Sequence, residues 1–283
     1  MRGQVFKVLT DSYTVKSNKT EYTCLARGLL KIKGDGISVG DNVEFENGVI
    51  SKILERKNKF IRPNVANVDV IVAVISAEPK PDFYLLDKLL LNAVKSCVEV
   101  IIVVNKADLA PELYQKISDE YSPLVSKVFS ISAKTGKGVE ELKDAIDGKL
   151  SVLAGQSAVG KTSIVNAIFG FNLKVGELSD KILRGKHTTT RSEIFDNGSI
   201  KIIDSPGFAV IDADVSIEEL PECYEEYFKV SNQCRFRGCS HVNEPDCKVK
   251  ELVETGEFSK ERYKRYVEIY NEIAKRRINY EKN

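Results

Sequence analysis

The strongest constraint on what this chain can fold into is the segment GQSAVGKT at positions 155–162. It fits the pattern G-x-x-x-x-G-K-[ST], which is specific when it follows a strand and opens a helix. Both conditions hold, because LSVLA precedes the segment and TSIVNAIFG follows it. Glycines let backbone N–H groups turn towards phosphate oxygens, and a helix N-terminus adds a favourable dipole. The segment therefore predicts a phosphate-binding loop, and an ordinary glycine-rich turn is the weaker interpretation.

Individual residues of this loop have distinct expected roles. Lys161 brings a positive charge to the β- and γ-phosphates, and the Thr162 hydroxyl is a ligand for Mg²⁺. Asp204 ends the strand-like segment SIKIID and is placed to hold the same ion, while the N–H of Gly207 would sense a γ-phosphate. The residues predicted to contact the phosphates are Gly155, Gln156, Ser157, Ala158, Val159, Gly160, Lys161, Thr162 and Ser163.

Two further segments indicate which base accompanies the phosphates. NKAD at 105–108 and SAK at 132–134 each follow a strand-like segment. A carboxylate such as Asp108 accepts both N1–H and N2–H of guanine, whereas adenine offers neither donor and would leave it unpaired. The backbone N–H of Ala133 would meet guanine O6. The residues predicted to hold the base are Asn105, Lys106, Asp108, Ser132, Ala133 and Lys134.

The order of these motifs is rotated. In Ras-like proteins the phosphate loop comes first and the guanine motifs come last, whereas here both guanine motifs precede the loop. Apolar strand candidates alternate with helical patterns through this region, which is typical of a mostly parallel sheet covered by helices. The same sheet forms from a circularly permuted chain, so we expect a permuted P-loop α/β domain.

The flanking regions have a different character. Residues 1–62 contain five short strand patterns separated by turn residues and carry a net charge of +5. They predict a small β-barrel, for which an OB-fold is favoured over alternatives such as an SH3-like barrel. The last region begins with SIEELPECYEEYF (216–228), which predicts a helix. It ends in an amphipathic helix with Tyr263, Tyr266, Val267, Tyr270 and Ala274 on one face.

A cysteine cluster lies just before that helix. Cys234, Cys239, His241 and Cys247 supply three thiolates and one imidazole, a set that suits a closed, tetrahedral zinc site. A group of redox-sensitive thiols is the alternative. The three other cysteines are expected to be small buried hydrophobic residues: Cys24, Cys97 and Cys223.

Four longer segments, spread over all three regions, resemble segments of one protein family. The segments RPNVANVD (62–69), YLLDK (84–88), GKHTTT (185–190) and CRFRGCSH (234–241) resemble those of the RsgA (YjeQ) family of circularly permuted GTPases, which are bacterial small-ribosomal-subunit biogenesis factors. The resemblance implies an OB-fold at 1–62, a permuted GTPase at 63–215 and an α-helical zinc-binding domain at 216–283. Two departures are minor: Ala158 replaces a frequent glycine, and Lys186 a frequent arginine.

The resemblance also implies a function. It is that of a GTP hydrolase acting late in assembly of the small (30S) ribosomal subunit, stimulated by that subunit and contacting its 16S rRNA. It favours Thr189 over Thr188 as the third ligand of the GTP-bound Mg²⁺. We expect a cytoplasmic protein, because apolar runs such as 100–104 are far shorter than the ~20 residues needed to span a bilayer, and no signal peptide is recognisable. We also expect a monomer.

The sequence says least about which group positions the attacking water during hydrolysis. In Ras a glutamine after D-x-x-G orients the attacking water, but this chain has Phe208 there. His187 is the best internal candidate for that role. It could instead pack against phosphate or RNA, and a partner could supply or order the catalytic group. The alternative function is a GTP-gated rRNA-binding module with little useful turnover, while an ATP-dependent protein is disfavoured by Asn105 and Asp108.

Overall fold

Short strands close into a barrel at the N-terminus. The computed structural model describes residues 1–28, 30, 36–61, 63–171, 192–204 and 213–281. The barrel strands are β1 (Arg2–Val8), β2 (Tyr13–Ser17), β3 (Thr20–Ala26), β4 (Asn42–Glu46) and β5 (Val49–Ile53). They run in the order β1-β2-β3-β5-β4, and β4 pairs back onto β1. Alternate residues such as Val5, Val15 and Phe45 fill the interior. The predicted OB-fold barrel is confirmed.

The central region forms a parallel sheet covered by helices. A two-stranded hairpin, β6 (Lys59–Phe60) and β7 (Val65–Ala66), leads into it. The sheet strands are β8 (Val70–Ile75), β9 (Glu99–Val104), β10 (Lys127–Ser130), β11 (Leu150–Ala154), β12 (Glu193–Asp196) and β13 (Lys201–Asp204). The helices are α1 (Phe83–Lys95), α2 (Pro111–Tyr121), α3 (Val139–Ile146) and α4 (Lys161–Phe169).

Sheet order confirms the permuted topology. The strands run β10-β9-β8-β11-β13-β12, with all neighbours parallel except the β12–β13 pair. Every residue of β8 and of β11 is buried, as expected when both faces of a parallel sheet are covered. Helices α1 and α2 pack on one face, and α3 and α4 pack on the other.

Strand β12 joins the two regions into one sheet. It is antiparallel both to β13 and to β1 of the barrel, with Lys7 opposite Glu193. Over the residues that the structure describes, the result is a continuous 11-stranded sheet. Sequence patterns did not predict β12, because four residues are too few for a reliable alternation of apolar and polar positions.

The C-terminal region is helical. A 3₁₀ turn (Leu220–Cys223) precedes α5 (Glu225–Phe228), and a second 3₁₀ turn (Ser231–Gln233) precedes α6 (Lys248–Thr255) and α7 (Lys260–Glu281). Tyr266 of α7 is fully buried beside Tyr224 and Tyr227, as the helical spacing predicts. The preceding helical pattern is interrupted, because Pro221 lies in a 3₁₀ turn. Within the described residues, no helix has the length and apolar character required to cross a bilayer.

A buried ionic cluster holds α7 against the central region. Asp87 of α1 is fully buried, and its carboxylate accepts hydrogen bonds from Arg262 Nη1 (2.7 Å) and Arg265 Nε (2.5 Å). The Tyr121 hydroxyl donates a further bond to it at 3.0 Å. Arg262 also pairs with Glu226, and Arg265 with Glu120, both at 2.7 Å, so each guanidinium is shared between two carboxylates. Because these charges are desolvated, each needs its partner.

Asp87→Asn is therefore expected to lower the free energy of unfolding by about 3 kcal/mol, since it leaves two buried guanidinium groups short of a negative partner. Urea denaturation followed by tyrosine fluorescence measures this. Glu225→Ala is the matched control, because it removes an exposed pair with Lys229 and should cost no more than about 0.5 kcal/mol. Equal losses in the two variants would contradict a buried lock at Asp87.

Candidate nucleotide site and metal centre

Parallel pairing brings the predicted motifs to one edge of the sheet. Asn105 directly follows β9, Ser132 lies two residues after β10, Gly155 follows β11, and Asp204 is the last residue of β13. Because these strands are parallel, their carboxyl ends lie at the same edge. Segments separated by about a hundred residues of sequence thus form one site.

Two glycines of the phosphate loop are required by close packing. Gly155 has φ +135°, and a Cβ there would lie 2.2 Å from the carbonyl oxygen of Val74. Gly160 has φ +98° at the start of α4, and a Cβ there would lie 2.2 Å from Asn105 Nδ2. Ala158 also has a positive φ, +65°, which an alanine adopts only at a cost that the family's frequent glycine avoids.

The Asn105 side chain joins three motifs. Its Nδ2 donates to the carbonyl oxygen of Val159 (2.9 Å), and its Oδ1 accepts from the backbone N–H of Ala133 (3.1 Å). The neighbouring Lys106 Nζ donates to the carbonyl oxygen of Ala158 (2.9 Å). Sequence reasoning assigned Asn105 only to base binding. In the structure it is buried and fastens the predicted phosphate loop to both segments that are predicted to bind the base.

Lys161 lies folded over the phosphate loop. Its Nζ donates to the carbonyl oxygens of Gly155 (2.7 Å) and Gln156 (2.6 Å). Burial lowers the pKa of Lys161, and the charge of Asp204 opposes this effect. The ammonium group is therefore already beside the loop, where phosphate oxygens could replace the two carbonyls as its partners.

Asp204 is a half-buried carboxylate next to Lys161. The pKa of Asp204 is raised to about 6, mainly by burial; the nearby charge of Lys161 opposes this rise, and the charge of Glu193 adds to it. Together with the hydroxyl of Thr162 in the first turn of α4, Asp204 offers the hard oxygen ligands that Mg²⁺ takes. The residues present thus fit a magnesium ion carried by a nucleoside phosphate.

The base-binding side of the site is open. Asp108 is exposed, and its pKa is lowered by the polar side chain of Ser132 first, then by its own backbone, with a smaller contribution from Lys134. The carboxylate is therefore ionised and accessible to N–H donors of a base. Three predicted site residues, Thr189, His187 and Gly207, lie outside the described residues, as does Phe208.

The second centre is the predicted cysteine and histidine cluster. One ligand atom from each of Cys234, Cys239, His241 and Cys247 lies within 4.8 Å of every other. His241 Nδ1 is 3.7 Å from Cys234 Sγ and 3.4 Å from Cys247 Sγ, and the two sulfurs are 3.9 Å apart. Ligand atoms around a tetrahedral zinc are about 3.8 Å apart for two sulfurs and about 3.6 Å apart for sulfur and nitrogen. The four residues therefore fit one tetrahedral ion, with His241 binding through Nδ1.

The chemistry of the cluster also calls for a cation. Cys239, Cys247 and His241 are buried, and burial raises the pKa of the Cys239 thiol to about 12. Thiolates are stable in such a place when a metal balances their charge. The described structure shows no disulfide among these cysteines.

Residues outside the ligand set hold this loop in place. The Glu244 carboxylate accepts N–H bonds from Ser240 (2.9 Å) and Val242 (3.3 Å). Burial favours its neutral form, but these bonds lower the pKa of Glu244 to about 2. The hydroxyls of Tyr263 and Tyr266 donate to the carbonyl oxygens of His241 (2.7 Å) and Ser240 (2.5 Å). The tyrosine spacing was recognised in the sequence, but only as a core pattern.

The other three cysteines do not all behave as expected. Cys24 is buried in the barrel, as predicted. Cys97 is exposed and Cys223 is half-exposed, so that expectation is wrong for Cys97. The reason is local, because Cys97 has φ +51° in the turn that ends α1 and its side chain faces away from the core.

Comparison with known proteins agrees with this architecture. The family model described as RsgA GTPase matches residues 53–214, and that of the RsgA N-terminal domain matches residues 2–50. Curated relatives include the small ribosomal subunit biogenesis GTPases RsgA of Thermotoga petrophila (41% identical, 98% of each chain covered) and of a Geobacillus species (39% identical, 98% of this chain and 99% of the relative).

Solved structures show the same fold along nearly the whole chain. YjeQ from Thermotoga maritima matches with a TM-score of 0.81 and 36% identity over 96% of this chain and 98% of its own. YloQ, a circularly permuted GTPase, matches with a TM-score of 0.78 and 31% identity over 97% and 95% of the two chains. The permuted order of the sheet, the site at its edge and these matches lead to one conclusion: this chain belongs to the RsgA family of circularly permuted GTPases.

Proposed function

We propose that this chain is a cytoplasmic, monomeric GTP hydrolase that acts in assembly of the small ribosomal subunit and contacts its 16S rRNA. The observation that carries the nucleotide part is the Asn105 amide, which fastens the phosphate loop to both base-binding segments. The subunit is the assembly named for the RsgA relatives. The positively charged barrel, with a net charge of +5 over residues 1–62, suits an RNA backbone.

Each residue of the nucleotide site has a proposed task. Asp108 accepts N1–H and N2–H of guanine, and the N–H of Ala133 donates to O6. Lys161 and the N–H groups of the loop neutralise phosphate charge, which is the main source of catalysis in phosphoryl transfer. Thr162, Thr189 and Asp204 hold the Mg²⁺, which adds charge neutralisation when it is bound. Gly207 senses the γ-phosphate.

The group that positions the attacking water is proposed to be His187, because the side chain of Phe208 carries no hydrogen-bonding atom. A group supplied by the ribosomal partner is the alternative. For the second centre we propose a structural zinc ion held by Cys234, Cys239, His241 and Cys247, since a set of four protein ligands leaves no open catalytic position. Residues 1–62, 63–215 and 216–283 are the proposed domains.

Hydrolysis of GTP should accelerate strongly when purified small ribosomal subunits are added, because the chain itself lacks the Ras-type glutamine. Steady-state phosphate release is measured for the protein alone, with small subunits and with large subunits as the control. Acceleration by small subunits alone supports the proposal. Tight GTP binding without any acceleration would instead favour a GTP-gated RNA-binding module.

Asp108→Asn should weaken GTP and GDP binding at least tenfold while leaving the weak binding of ATP unchanged, because an amide cannot accept from both guanine donors. Asp144→Asn removes the same charge from an exposed position on α3 and is the control. Nucleotide affinities are measured by isothermal titration calorimetry. A loss of the same size in both variants would refute the specific contact.

Cys239→Ser should reduce bound zinc well below one ion per chain and lower the temperature of unfolding, because the site loses one of its four ligands. Metal content by elemental analysis and thermal denaturation are the readouts. Cys97→Ser is the control, since Cys97 is exposed and lies outside the cluster. Full zinc content in Cys239→Ser would show that the cluster is not the metal site.

A further inference from the structure

The barrel reaches the nucleotide site through strand β12. This strand pairs with β1 of the barrel on one side and with β13 on the other. Strand β13 ends at Asp204, the proposed magnesium ligand. A single strand therefore separates the barrel from the nucleotide site, and its side chains can contact both.

Glu193, the first residue of β12, lies directly opposite Asp204. Opposite residues of an antiparallel pair project from the same face, with Cβ atoms about 4.5–5.5 Å apart. This face is the one covered by α4, because Phe195 and Ile202, two residues along each strand, pack in the cluster that contains Ile164. Two carboxylates thus lie side by side on the phosphate-loop side of the sheet.

Lys7 of the barrel supplies a positive charge beside the Glu193 carboxylate. It lies opposite Glu193 on β1, and its Nζ is 2.6 Å from Glu193 Oε2. Lys7, Glu193 and Asp204 therefore form a row across three neighbouring strands, with the charges positive, negative and negative. The ion pair offsets part of the charge of Glu193 beside Asp204, because its side chains remain partly exposed, at 35% for Lys7 and 43% for Glu193. The field at the nucleotide site therefore depends on a residue of the barrel.

We propose that Lys7 and Glu193 are positioning residues for the magnesium site, and that their ion pair sets the balance between Mg²⁺ and phosphate affinity at Asp204. This inference rests on the proposed function, because it takes Asp204 as a magnesium ligand. An unpaired Glu193 attracts Mg²⁺ and repels phosphate, whereas an unpaired Lys7 does the reverse. The N-terminal barrel is then a part of the nucleotide site as well as a separate binding domain.

The test uses full-length protein and a fluorescent GDP analogue, so that hydrolysis plays no part. Two quantities are measured for Lys7→Gln, Glu193→Gln and the double variant. The first is the affinity for the analogue without Mg²⁺. The second is the Mg²⁺ midpoint, the Mg²⁺ concentration that gives half of the maximal change in that affinity. Lys7→Gln should lower the Mg²⁺ midpoint about threefold to tenfold and weaken metal-free binding by a similar factor, as expected for one charge several ångströms away. Glu193→Gln should change both quantities in the opposite direction.

In the double variant, the metal-free affinity and the Mg²⁺ midpoint should both lie within about twofold of the wild-type values, because the net charge beside Asp204 is restored. If both single variants shift the midpoint in the same direction, or neither shifts it, the inference is wrong. Lys7→Arg keeps the charge and should behave as the wild type. If Lys7→Gln does not fold, Glu193→Gln tests the inference by itself, because an unchanged or lowered Mg²⁺ midpoint in that variant would refute it.

The chain supplies a matched control on the same strand. Lys16 of the barrel pairs with Asp196 of β12, also at 2.6 Å. Asp196 is three residues from Glu193 and projects from the opposite face, the side on which Ile194 packs. Lys16→Gln loosens the barrel in the same way without changing the charge beside Asp204. An equal shift of the Mg²⁺ midpoint in Lys16→Gln would assign the effect to loosened docking and overturn the inference.

Asp204→Asn distinguishes a failure of the magnesium assignment in the proposed function from a failure of the role given to the Lys7–Glu193 pair. It should remove most of the Mg²⁺ dependence of analogue binding. If it leaves that dependence intact, the magnesium assignment in the proposed function is wrong. If it removes the dependence while the variants of Lys7 and Glu193 match the wild type, only the role of the ion pair is refuted.

Discussion

The nucleotide site depends on one side-chain amide. Asn105 donates to the phosphate loop and accepts from the segment after β10, and its own segment follows β9. An amide suits this position because it offers a donor and an acceptor on one rigid group, and both are satisfied while the side chain is buried. Gly160 is glycine because this amide occupies the space that a Cβ would need.

Charged pairs join the regions of the chain to one another. The barrel meets the central sheet through backbone pairing of β1 with β12 and through two lysine–carboxylate pairs. The C-terminal helix meets α1 of the central region through the buried cluster around Asp87. Buried or half-buried ion pairs are specific to one geometry, since a displaced charge would lack its partner. Both flanking regions are therefore held in defined positions relative to the nucleotide site.

Most of the strands and helices were predictable because their patterns are strong. The five barrel strands are short segments separated by turn residues, β8 is a continuous apolar segment, and β11 is apolar except for Ser151. Strand β12 and helix α2 were missed. The first is short, and the second has few apolar residues, of which Ile117 and Tyr121 are buried. Cys97 was misjudged, because burial at the end of a helix depends on a backbone turn that composition does not reveal.

The amino-acid sequence was enough to predict the chemistry of the two candidate sites: a phosphate loop, two guanine motifs, and four residues with spacing suited to a metal ion. Residue type and local spacing are enough for this, because each motif is a short segment with its own backbone requirement. Which distant side chains meet became apparent from the three-dimensional fold alone. The Asn105 bridge spans 54 positions and the Lys7–Glu193 pair spans 186. Such contacts arise from sheet order and register, which no local pattern specifies.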